Sequence, residues 1–123
     1  MLFRSPDKIP LVTGDEPVKD IFTRAGCPVC HTIPGIPGAM GQVGPPLVLG
    51  TTGAQRLIDP SYRGQAATVR DYIVESIMNP GVFVVPGYPE RTMPTWYGTK
   101  LSALAVEKIA DYLERQTDRS GIK

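Results

Sequence analysis

Two thiols and one imidazole stand within five consecutive residues, Cys27-Pro28-Val29-Cys30-His31. Thiols three positions apart can add to the two vinyl groups along one edge of a haem. The residue that follows, on the same turn, can bring its imidazole to the iron, and C-x-x-C-H is the attachment pattern of c-type haem. The chain has 2 cysteines and 1 histidine, so all of them lie in this pentapeptide. A structural zinc site wants four Cys or His ligands and only three are present, bunched together. A thioredoxin-like redox pair would need a βαβ context, whereas a Pro/Gly loop follows His31. A disulfide between residues three apart is poor geometry. The expectation is one covalent haem c, with Cys27 and Cys30 as anchors and His31 as an iron ligand.

A second axial ligand must then come from another segment, and without another histidine the sulfur of methionine is the leading donor. Of the 4 methionines, Met1 sits in an unconstrained terminal segment. Met78 falls late in a predicted helix, where an adaptable core side chain is the simpler role. Met40 would have to cross the macrocycle within nine residues of His31. Met93 lies in Arg91-Thr92-Met93-Pro94-Thr95-Trp96, a Pro-stiffened loop between two predicted helices that can present a thioether at a fixed angle. It is the expected ligand, with Met40 and Met78 as alternatives. A neutral thioether opposite imidazole favours reduced iron, and filling both axial positions suits electron transfer over oxygen chemistry.

The elements that must position these groups belong to a chain of 123 residues with 41% hydrophobic content, the size of one domain. With 3 Phe and 1 Trp, the core has room for an apolar macrocycle, and 13 Gly with 13 Pro point to long ordered loops joining a few helices. The net charge of +1 gives no case for nucleic acid as a partner. Charge is unevenly placed: residues 25–55, 76–89 and 92–99 contain no Lys, Arg, Asp or Glu. No apolar run reaches the roughly 18 residues of a transmembrane segment. The opening residues lack the apolar stretch of a secretory signal. Since covalent haem is normally installed outside a bacterial inner membrane, a signal or anchor is expected to be missing from this chain.

Residues 1 to about 13 read as an extended arm and 117–123 as a tail. A first helix is predicted from Pro17 to Gly26, with Asp15 as N-cap and Val18, Ile21, Phe22 and Ala25 on one face. The segment from Thr32 to Leu47 is too rich in Gly and Pro for regular structure and must lie against something. A short helical piece is predicted over Gly53 to Ile58. The next helix starts at Thr68, with Asp71 making a capping-box-like pair, and stops at Asn79-Pro80-Gly81. A short strand or extended turn is possible in the apolar run 82–85. The last helix runs from Ser102 to about Gln116, with Leu101 and Val106 as a hydrophobic staple and Leu104, Ile109, Ala110, Tyr112 and Leu113 facing the core.

In these motifs the chain resembles the class I c-type cytochromes, small mono-haem electron carriers. The likeness covers about residues 14–116 and rests on Ile21-Phe22, Cys27-x-x-Cys30-His31-Thr32, Gly44-Pro45-Pro46-Leu47, Met93-Pro94 and Ile109-Ala110-Asp111-Tyr112-Leu113. It implies the all-α cytochrome c fold, three to four helices and long loops around one haem, as a single domain over 14–116. It also implies that the Pro45 carbonyl accepts from the His31 ring, that Leu47 packs on the haem, and that Phe22 meets the Ile109 and Tyr112 face. Trp96, Tyr97 and Tyr88 are candidates to bond a haem propionate, with ordinary rim or core roles as the alternative. A finer likeness, through Tyr72–Pro80 and Val85-Pro86-Gly87-Tyr88-Pro89, is to cytochrome c domains of haem-copper oxidase subunit II and related respiratory subunits.

The expected function is therefore an electron-transfer module on the periplasmic or outer face of a bacterial membrane. It would be a free carrier or part of a respiratory complex, docking redox protein partners through a mostly apolar rim. The alternatives are a haem enzyme or gas sensor with a labile sixth position, and a haem-free interaction module with a C-x-x-C pair.

Overall fold

Pro17 starts the first helix with its φ fixed at −55° and its carbonyl accepting the amides of Asp20 and Ile21 at 2.9 and 3.1 Å. The protein, seen in a computed structural model, is described over residues 12–89, 93–95 and 97–119. From Pro17 the chain enters α1 (Val18–Ala25). The expected Asp15 cap is not used, because Pro17 itself holds the cap position and no side chain caps the helix. Glu16 turns back instead, accepting from the Gly14 amide at 2.8 Å and the Thr13 hydroxyl at 2.9 Å. Its own amide, with those of Thr13 and Gly14 and the Thr13 hydroxyl, holds its carboxyl down at about 2.

α1 buries Ile21, Phe22 and Ala25 and ends at Gly26, whose φ of 80° is the left-handed conformation that suits glycine. A single turn, α2 (Cys27–Cys30), follows. Then come α3 (Leu49–Leu57), α4 (Val69–Met78), a 3-10 turn over Pro80–Val82, α5 (Tyr97–Lys100) and α6 (Ala103–Glu114). Among the described residues all regular structure is helical, and the only β-type pairings are the isolated bridges Val12–Leu101 and Thr32–Met40. The four helices of eight residues or more match the expected count; α2 and α5 are additional single turns. The run 82–85 forms no strand. No helix among the described residues is long and apolar enough to cross a membrane.

The caps of α4 and α6 are local. Thr68 Oγ1 accepts from the Asp71 amide at 3.1 Å, and Ser102 Oγ accepts from the Ala105 amide at 3.0 Å. α3 begins four residues earlier than Gly53 because its first turn is fixed from outside, the Gly50 amide reaching the Gln116 carbonyl at 2.7 Å. Such tertiary contacts override the weak helix preference of glycine and threonine.

α1 and α4 both pack against α6, and α3 lies against α4 and α6. Phe22 and Tyr112 meet edge to face with centroids 5.4 Å apart, as the resemblance implies. α6 buries Ala105, Val106, Ile109, Ala110 and Leu113, so its core stripe excludes Leu104, which is exposed beside Gly14. Val12 is fully buried, donating to the Lys100 carbonyl at 3.1 Å and accepting from the Ser102 amide at 3.0 Å. The arm expected over 1–13 therefore joins the core by residue 12; residues 1–11, Met1 among them, lie outside the described set.

Candidate functional site

Gly26 reverses the chain so that α2 leaves α1 at once, and its four residues carry both thiols on one turn. Both cysteines are free. Cys27 is half-buried against the core, and burial pushes its thiol up to about 11. His31 closes the turn with its amide on the Cys27 carbonyl at 3.0 Å, and its extended backbone, φ −127° and ψ 144°, carries the chain away from the cysteines.

The His31 ring is held on two sides. Its Nδ1 lies 2.7 Å from the Pro45 carbonyl oxygen. A carbonyl can only accept, so Nδ1 carries the proton and Nε2 keeps its lone pair. No hydrogen bond among the described residues reaches Nε2. Burial lowers the imidazole's pKa, partly opposed by the Pro45 bond, so the ring is neutral at pH 7. Against the ring lies Gly44, where a Cβ would stand 2.4 Å from His31 Cε1.

The loop over 32–47, whose composition requires only that it lie against something, lies across the cysteine turn. The Gly44 amide donates to the Cys30 carbonyl at 2.7 Å, Gly41 to His31 at 3.2 Å and Leu47 to Thr32 at 2.8 Å. At Gly41 a Cβ would stand 2.6 Å from His31 N, so both glycines permit backbone approach that a side chain would block. Ile33, Ile36 and Ala39 anchor the loop in the core, and the Tyr112 hydroxyl donates to the Pro34 carbonyl.

Cys27, Cys30, His31 and Pro45 thus come together as expected. Leu47 and Met93 are half-buried and pack against the core. Of the other thioethers, Met40 is 76% exposed, and Met78, at the end of α4, is 47% exposed. Tyr97 is buried and donates its hydroxyl to the Ala25 carbonyl at 2.5 Å, the core role weighed above. Tyr88 is half-buried. Trp96 lies outside the described residues.

Three features escaped the reading of the sequence: the close approaches of Gly41 and Gly44, and the Tyr97–Ala25 bond. A glycine directly before a diproline was the one available signal for Gly44.

The arrangement offers two thiols for covalent attachment and one separate, oriented nitrogen donor. No family model, curated protein or solved structure matches this chain.

Proposed function

We propose that the chain is a mono-haem c-type cytochrome with the cytochrome c fold, carrying single electrons between redox partners. The observation that carries this reading is the His31–Pro45 bond of 2.7 Å on the turn that bears both free thiols. It fixes the tautomer a metal-binding imidazole needs and increases the donor strength of Nε2. The absent Cβ of Gly44 makes room for the ring in that orientation.

In this reading Cys27 and Cys30 would hold haem covalently, and His31 Nε2 and the Met93 thioether would be its iron donors. Bound there, haem would supply a one-electron iron couple. Pro45 orients His31, and Leu47 contributes an apolar contact that keeps water away. Tyr88, Tyr97 and Trp96 remain candidates for the haem rim, although Tyr97 already has a use for its hydroxyl. The reaction moves no proton or group, so its rate depends on docking and on the distance from haem edge to partner. The site of work is the outer face of a bacterial membrane, where covalent haem is installed.

An optical spectrum of the protein matured with haem tests the reading. Low-spin bands, the weak red ferric band of thioether-bound iron, and loss of that band in Met93→Ala are expected. High-spin iron that readily binds CO would contradict it in favour of an enzyme or sensor, and a haem-free protein in favour of an interaction module. An unchanged band in Met93→Ala would move the sulfur donor to Met40 or Met78.

A further inference from the structure

The last carbonyls of a helix have no intrahelical partner, and a buried one must find a donor elsewhere. Ala25 is the last residue of α1, is 4% exposed, and stands two positions before Cys27, with Gly26 between them. Its carbonyl accepts from the Tyr97 hydroxyl, 72 positions away in sequence. Tyr97 opens α5, and the other end of that turn is fastened as well, since the Lys100 carbonyl accepts the buried Val12 amide at 3.1 Å. The Leu101 amide returns to the Tyr97 carbonyl at 2.9 Å, which closes the turn between the two fastenings. Met93 is four residues before Tyr97, so extended chain allows it at most about 14 Å of reach from this anchor.

We propose that Tyr97 is a positioning residue: its bond to the Ala25 carbonyl ties the Met93 segment to the turn that carries Cys27, Cys30 and His31. The inference rests on the haem reading above and deepens it, because the two axial donors come from segments far apart in sequence. Tyr97→Phe keeps the ring in the core and the backbone bonds of α5, but strands a buried carbonyl and removes the side-chain tie between α5 and the end of α1. The thioether then leaves the iron more often. An added ligand that competes for the vacated position binds with an apparent affinity scaled by the open fraction.

The experiment is an imidazole titration of the covalently loaded ferric protein, followed by loss of the thioether band. Tyr97→Phe is expected to bind imidazole about tenfold more tightly than the unaltered chain. Tyr62→Phe is the control, since it loses hydroxyl bonds to Glu75 and the Ala66 amide that involve neither the Met93 segment nor the 32–47 loop. Its imidazole affinity should stay within about twofold of the unaltered chain even though it also loses stability. An unaltered affinity in Tyr97→Phe, or an equal gain in Tyr62→Phe, overturns the inference. Absence of the thioether band from the unaltered protein overturns the ligand assignment itself, a separate failure read before any variant is made. Should Tyr97→Phe not accumulate, amide exchange in the unaltered protein reads the same tie. Amides over 97–101 and 25–31 should open together, and independent opening overturns it.

Discussion

At the residue scale the site turns on how tightly His31 is confined. One contact is attractive, from Nδ1 to the Pro45 oxygen, and the other is steric, from the Gly44 backbone against the ring. Gly44 does not have a positive φ, so glycine is required there by proximity alone. Gly44→Ala should therefore cost about 1–3 kcal/mol, the usual range for overpacking, because either the ring or the loop must move. A denaturation midpoint unchanged from the unaltered chain would show that the loop yields freely. Among the methionines, Met93 is half-buried against the core, whereas Met78, read from the sequence as a core side chain, is exposed because it ends α4 on the solvent side of Ile77. The choice of Met93 rested on what can hold a side chain still, and a loop stiffened by proline can.

At the scale of elements, what was legible was what is local. α1, α4 and α6 could be read from spacing, Gly26, Thr68 and Ser102, since each signal acts within a few residues of the bond it makes. Ser102 does two things: it caps α6 through Ala105 and donates its hydroxyl to the Thr13 carbonyl. Ser102→Ala should lower stability by about 1–2 kcal/mol in a denaturant titration, and a smaller loss would mean that solvent replaces both bonds. What was not legible was decided from far away. The early start of α3 depends on Gln116, and Asp15 loses the cap to Pro17 while Glu16 turns back on Thr13 and Gly14. Leu104 fits a hydrophobic spacing yet faces out, because Ala105 and Val106 fill the stripe facing α1 and α4. The cysteine turn and its histidine were plain in five residues. The two glycines and the tyrosine that brace them were not, since those contacts exist only once the 32–47 loop and α5 have docked.

For the whole molecule the placement of charge sets how a partner is met. The cysteine turn and the loop laid across it belong to residues 25–55, which hold no charged side chain, and they expose Val29, Met40 and Val43. The Arg70 pairs with Glu107 and Glu114, which join α4 to α6, lie at partly exposed positions and contribute little to stability. If electrons pass through the uncharged side, attraction between charges steers docking weakly. The second-order rate with a redox partner should then change by no more than about twofold as ionic strength rises from about 0.01 M to about 0.5 M. A tenfold or steeper fall, on the order seen where charge does steer docking, would place docking on a charged face instead. All of this depends on the covalent step at Cys27 and Cys30. The most direct measurement is the intact mass of the denatured chain after expression alongside a c-type haem maturation system. The expected mass is the chain plus one haem, retained through denaturation and lost when both cysteines are replaced by alanine. A chain at its unmodified mass, or haem that washes out on denaturation, would contradict the haem reading.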